Sequence, residues 1–367
     1  MTDSLGSIFR VTSFGESHGR CVGVVVDGCP AGLALTPAHI QRELDRRRPG
    51  QSGVTTGRDE ADMVDVLSGV FNGFTTGAPI CMLVWNRDRD SSGYERRRWT
   101  PRPGHADWTA HVRYGGFNDY RGGGRFSGRI TAGFVMAGAV AKRLLAESLG
   151  VEILAHAKEI GGVKAPDVGV DEIRANVESN AVRCGHPETA RRMEDRIKEV
   201  ASEGDSVGGA VECVALNLPV GIGEPVFGTL EGDISRALYA IPAVKGVEFG
   251  LGREFASLKG SESNDVYTVK DGKVTTETNW VGGIHGGLSN GMPITCMVTF
   301  KPTPSIGKRQ KTVDVSKMEK TSIEITGRHD PCIVPRAVPV VEGMMAVVLA
   351  DHAIRAGLIK RVLEVRE

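Results

Sequence analysis

The chain has 367 residues, and its 45 lysines and arginines balance its 45 aspartates and glutamates to a formal net charge of zero. That balance excludes a generally basic nucleic-acid-binding surface, and an aromatic content of 5% leaves little material for base stacking. With 40% hydrophobic and 25% charged residues the chain has the composition of a packed protein rather than a disordered one.

In chain order, the start MTDSLGSIFRVTSFGESHG lacks the basic and apolar regions of a signal peptide. CVGVVVDG at 21–28 reads as a strand. Thr36-Pro37 opens a helix through QRELDRRR that stops at Pro49-Gly50. PICMLVWN at 79–86 is a second strand. The stretch 86–130 is rich in glycine and arginine with weak periodicity, which marks a functional loop region. Thr131 to Leu149 is a helix apolar nearly all round, closed by Gly150 and suited to burial between layers. Pro187 to Glu203 is a charged surface helix closed by Gly204. Strands follow at 209–218 and 292–300, and a second buried helix at Ala337 to Ala356 is closed by Gly357. A second weakly periodic stretch covers 282–312. Strands and helices intermix without strict alternation, so the class is α+β. No composition break or repeat divides the chain, which is expected to form one domain over 1–367. No run of about 18 uncharged apolar residues occurs, so no membrane span is expected.

Glycine is the compositional outlier, with 48 residues, about 13% against a usual ~7%. Seven widely spaced cysteines without a CxxC pair fit reduced thiols and a cytoplasmic protein. Charge is locally uneven. Residues 87–129 hold ten arginines and five acids, while residues 152–205 hold eight basic and twelve acidic residues. A local anion site on a neutral body follows.

Two segments match GxSxG, around Ser17 and Ser289, but strand-like runs follow both. A nucleophile elbow needs a helix there, so a serine hydrolase is disfavoured. No GxGxxG or GxxxxGK occurs. His18 and His105 each sit in glycine-flanked turns, as turn residues or as acid–base groups. His105, Asp107 and His111 fit no common metal spacing. Arg121-Gly-Gly-Gly-Arg125-Phe126-Ser127-Gly-Arg129-Ile-Thr131 places glycines, arginines and a helix start together, as a phosphate site does. Arg46, Arg47 and Arg48 close a helix, where the dipole explains one of them more easily than three. Lys301 to Lys308 is either a surface loop or a second phosphate contact. Arg328 and Asp330 could pair with each other, or Asp330 could serve as a base.

Taken together, GESHGRCVGVVVDGCP (15–30), DRRRPGQS (45–52), RPGHADWT (102–109), DYRGGGRFSGRITAG (119–133), EGDSVGG (203–209), GEPVFG (223–228), AVKGVEFG (243–250), GGIHGGLSNGMP (282–293), KPTPSIG (301–307) and GRHDPC (327–332) resemble the chorismate synthase family. The resemblance implies a β-α-β sandwich assembled as a homotetramer. It implies anti-1,4-elimination of phosphate from 5-enolpyruvylshikimate 3-phosphate, giving chorismate for aromatic amino acid biosynthesis. It implies reduced FMN (FMNH2) without net redox change, with FAD and NADP as associated nucleotides. NADPH would enter only as a reductant, and an external flavin reductase is the expected partner. By similarity His18 assists phosphate departure, His105 controls flavin protonation, and Asp330 relays a proton beside Ser17 and Ser127. Arg125, Phe126, Ser127, Gly286, Lys301, Pro302, Thr303, Pro304, Ser305 and Arg328 would line the flavin site. Arg47, Arg48, Arg102 and Arg129 would bind substrate or nucleotide anions. Two positions depart from the family pattern. Gly53 stands where a basic residue is usual, with Arg58 as a possible replacement, and Pro242 stands where asparagine is common. The alternative is a non-catalytic flavin- or phosphate-binding protein on the same fold.

Overall fold

The structure is a computed structural model that describes residues 3–48, 62–87, 91–325 and 330–364. Its frame is two five-stranded antiparallel sheets with helices between them. Sheet I runs in the order Ser4–Leu5, Arg10–Gly15, Cys21–Asp27, Ile80–Trp85, Val64–Val66. Sheet II runs Val244–Phe249, Ile294–Phe300, Gly209–Leu216, Glu152–Ile160, Val163–Lys164. The helix Thr131–Leu149 packs on sheet I, and the helix Val334–Arg355 packs on sheet II and on the first helix. One continuous buried apolar cluster extends from Phe9 to Ile359.

Local sequence accounts for the layers. Val22, Val24 and Val26 alternate on the buried face of their strand. The two core helices cross where Gly138 meets Gly343, since a Cβ on Gly138 would lie 2.3 Å from the Gly343 Cα. Gly133 seats its helix on the Gly23 carbonyl in the same way, at 2.9 Å. Gly150, at φ 70°, closes that helix by donating to the Ala146 carbonyl. The helix Pro37–Arg47 starts at Thr36, whose amide donates to His39 Nδ1 at 3.2 Å.

The four expected strands and four expected helices all form, with shifted ends. The last helix begins at Val334 rather than Ala337, because Pro335 occupies its first turn, where no donor is needed. It is long and apolar enough to cross a membrane, but 94% of its most apolar window is buried in the core. The strands Arg10–Gly15, Glu152–Ile160 and Val244–Phe249 carry no strong alternation of their own and were not foreseen. The segment 86–130 is less loop-like than expected. It holds short helices at Ser92–Arg96 and Asp107–Arg113 and tight 3-10 turns at Arg121–Phe126 and Gly128–Ile130. All seven cysteines are free thiols, although Cys213 and Cys296 face each other across sheet II.

Candidate active site

A cleft of about 590 Å³ opens where the starts of both core helices meet a hairpin turn of sheet I, at Ser17 and His18, and the edge strand Val244–Phe249 of sheet II. Thr131 and Ile130 come from one helix start, and Ile333, Arg336 and Ala337 from the other. The positive ends of two long helices therefore face the same space. Seven cations line it: Arg47, Arg102, Arg125, Arg129, Lys245, Lys301 and Arg336. Asp330 is the one carboxylate among the described lining residues. Ile130, Ile241, Val244, Ile333 and Val340 add an apolar wall.

The triple glycine organises one side of the cleft. Gly122, Gly123 and Gly124 take φ values of 60°, 83° and 52°, which side chains disfavour. A Cβ on Gly122 would lie 2.2 Å from His18 Cδ2, and one on Gly123 would lie 3.0 Å from His105 Cε1. The missing side chains thus make room for both histidines. His18 is 3% exposed, with Nδ1 2.9 Å from Ser91 Oγ and its ring edge-on to Tyr94. His105 Nδ1 lies 2.6 Å from Asp107 Oδ1. Arg102 Nε and Nη2 donate to the same carboxylate, each at 2.8 Å, and Nη1 donates to Ser305 Oγ at 3.2 Å. Burial works against the charge on Asp107, but Arg102 and His105 hold its carboxyl well below the usual range.

Elsewhere in the lining, Arg47 donates to Thr131 Oγ1, Asp62 Oδ2 and the Gly128 carbonyl, at 3.1, 3.1 and 2.8 Å. Arg129 donates to Asn86 Oδ1 and to the other oxygen of Asp62. The Asp62 side chain is fully buried and braces both cations. Burial and the adjacent Arg336 push Arg47 down to about 9 against the pull of Asp62, and it stays a cation at neutral pH. Arg336 pairs with Asp330 and donates to the Arg47 carbonyl. Lys245 is the extra residue where the register of its strand shifts between Val244 and Gly246, a bulge that places it beside the cleft. Burial, with Lys245 nearby, lowers Lys301, which donates to the Gly104 carbonyl. Thr303 Oγ1 is buried with no hydrogen-bond partner among the described residues.

The cleft gathers most of the expected residues. Ser17, His18, His105, Asp330, Ser127, Arg125, Phe126, Lys301, Thr303, Pro304, Ser305, Arg47, Arg102 and Arg129 all line it, as does Pro242. Four refinements follow. Gly286 is the turn of the hairpin Ile284–His285/Leu288–Ser289 and does not line the cleft. Pro302 and Arg48 also lie outside its lining. Arg121 turns to a bidentate pair with Asp119 at 2.8 Å, so two of its motif's three arginines face the cleft. Arg125 is already tied to Asp3 and to the Ser13 and Gly15 carbonyls, which makes its contribution electrostatic rather than directional. Arg328, Gly53 and Arg58 lie outside the described residues. Asp62, Asn86, Tyr94, Lys245 and Arg336 were not foreseen as site residues. Asp107 enters the sequence reading only within the His105, Asp107, His111 spacing, which fits no common metal pattern.

Neither GxSxG serine has nucleophile geometry. Ser289 Oγ donates to the Pro219 carbonyl at 2.6 Å inside a hairpin, and Ser17 sits in a turn between antiparallel strands.

The family profile described as chorismate synthase matches residues 9–354. A chorismate synthase of Dehalococcoides mccartyi is 55% identical over 99% of this chain and 100% of its own length. One of Methanosarcina mazei is 54% identical over 96% of both chains. A crystal structure of chorismate synthase superposes with a TM-score of 0.75 at 31% identity, covering 96% of this chain and 93% of that one. A profile match over nearly the whole length and relatives more than half identical place the chain in the chorismate synthase family.

Proposed function

We propose that this cleft is where the chain carries out the chorismate synthase reaction, as a carbon–oxygen lyase that eliminates phosphate from 5-enolpyruvylshikimate 3-phosphate. The observation that carries the reading is the cleft's charge: among the described residues seven cations and one carboxylate line about 590 Å³, and counting Asp62, Asp107 and Asp3, which pair with Arg47, Arg129, Arg102 and Arg125, still leaves cations in excess. A substrate with one phosphate and two carboxylates, beside a phosphorylated flavin, demands such a surplus.

Reduced FMN, when bound, would lend electron density as phosphate leaves, with no net oxidation. The cleft fits such a group. It has an apolar wall for a flat ring, and the buried, unpartnered Thr303 hydroxyl offers a polar contact. Phe126, Pro304 and Ser305 would flank the ring, while Lys301 and Arg125 would attract its phosphate. His18, fixed through Nδ1 by Ser91, would hydrogen-bond the departing phosphate. Arg47, Arg129 and Arg102 would clamp the substrate anions. Asp330, held by Arg336, would relay the released proton, with Ser17 and Ser127 nearby. His105 would govern protonation at the flavin.

The deciding assay is anaerobic turnover with dithionite-reduced FMN, followed by phosphate release. Full turnover by His18→Ala and His105→Ala enzymes would remove these roles. A folded wild-type protein that binds FMN but releases no phosphate would favour the non-catalytic binder. NADPH alone is expected to leave FMN oxidised, so an external flavin reductase would supply the reduced cofactor. A homotetramer is expected, and light scattering at four times 39.2 kDa would bear it out.

A further inference from the structure

We infer that Asp107 is a positioning residue that sets the tautomer of His105. The importance of His105 rests on the functional reading above; its geometry does not. Asp107 opens a short helix two residues after His105. Its Oδ2 accepts from the Arg102 backbone amide at 3.0 Å and from Arg102 Nε at 2.8 Å. Its Oδ1 accepts from Arg102 Nη2 at 2.8 Å and lies 2.6 Å from His105 Nδ1.

An ionised carboxylate only accepts, and it has about four lone-pair sites. All four are therefore filled, three by Arg102 and one by His105. The bond to His105 requires the proton on Nδ1, which leaves Nε2 of a neutral ring as an acceptor. Arg102 Nη2 lies 3.1 Å from Nδ1 and 3.2 Å from Nε2, so it holds the ring without choosing between its nitrogens, and the 2.6 Å approach of the Asp107 carboxylate to Nδ1 makes that choice. The ring edge carrying Cε1 and Nε2 abuts Gly123, where a Cβ would come within 3.0 and 3.1 Å. Carboxylate, guanidinium and glycine together fix the ring on three sides. Asparagine keeps the size of aspartate but offers one acceptor oxygen and a donor NH2, so it cannot satisfy the same four donors.

The test is the 15N spectrum of the full-length protein carrying labelled histidine, at about pH 8.5, above the ordinary histidine range. The His105 signals are identified by their loss in His105→Asn. Protonated Nδ1 and bare Nε2 are expected in the wild type, and protonated Nε2 would overturn the inference even if Asp107→Asn does not fold. In Asp107→Asn the protonated Nε2 form is expected to appear. The kcat should fall more than tenfold, towards the roughly 10⁴-fold limit of a triad histidine held in the wrong tautomer. An unchanged tautomer, or a kcat within twofold of wild type, would also overturn it. Absence of chorismate formation by the wild type would instead refute the functional reading and leave the tautomer result standing.

Discussion

Replacing Glu342 with glutamine should destabilise the fold by about 3 kcal/mol at neutral pH, and the loss should fade in acid. Glu342 is 1% exposed in the middle of the last core helix. Its Oε1 accepts from Arg46 Nη2 at 2.8 Å and from the Ala155 amide at 3.1 Å. Its Oε2 accepts from Arg46 Nη1 at 2.6 Å and Lys142 Nζ at 2.7 Å. One carboxylate thus joins three helices and sheet II. Burial opposes its ionisation, but Arg46 and Lys142 outweigh burial and hold the carboxyl at about 2, against an ordinary 4.5. That depression corresponds to about 3 kcal/mol, at the lower end of the ~3–5 kcal/mol for breaking a buried pair. The lower end is apt, because Glu43 still contacts Arg46 and Lys142, and Glu178 still contacts Arg46. The folded-state value lies below the unfolded one. The stabilisation is therefore complete above about pH 4.5 and is lost as pH falls toward 2, with less than half left near pH 3. Unfolding entropy of ~2.1 cal/mol/K per residue gives about 0.8 kcal/mol/K here, so Tm should drop by about 4 °C. Thermal unfolding followed by circular dichroism at pH 7 and pH 3.5, at one protein concentration, measures both effects. A Tm change under 1 °C at pH 7 would refute the argument. Equal destabilisation at both pH values would show that packing, not charge, was lost.

Other outcomes follow from the same contacts. Gly122→Ala forces a Cβ to within 2.2 Å of the His18 ring at φ 60°, so turnover should fall at least tenfold and Tm should drop as well; full activity would refute the claim that this glycine makes room for His18. Gly138→Ala overpacks the helix crossing and should cost about 1–3 kcal/mol, read as a lower urea midpoint without altered substrate KM. Asp62→Asn removes the shared brace of Arg47 and Arg129, so KM for the phosphorylated substrate should rise several-fold and more steeply with salt. An unchanged KM would mean that the two arginines hold their places without Asp62.

The sequence by itself determined what depends on near neighbours. The helix starts at Thr36 and Pro187, the stop at Gly150, and the alternating valines of 21–28 are local signals, and all appear in the fold. The site was legible wherever its residues lie in glycine- and arginine-rich motifs, as with His18, His105 and Arg129. Tertiary structure alone decided the partners. Asp62 sits 15 residues from Arg47 and 67 from Arg129, and nothing in its own strand-like surroundings announces two buried guanidinium groups. Arg336 reads as one more residue of a helix start, and Lys245 enters the cleft through a bulge that only the register with Phe300 reveals. Arg121 looked equivalent to Arg125 and Arg129 until Asp119 claimed it. The physical reason is plainest for Asp62. Helix and strand preferences act over a few residues, whereas compensating buried charge requires opposite charges that only folding brings together.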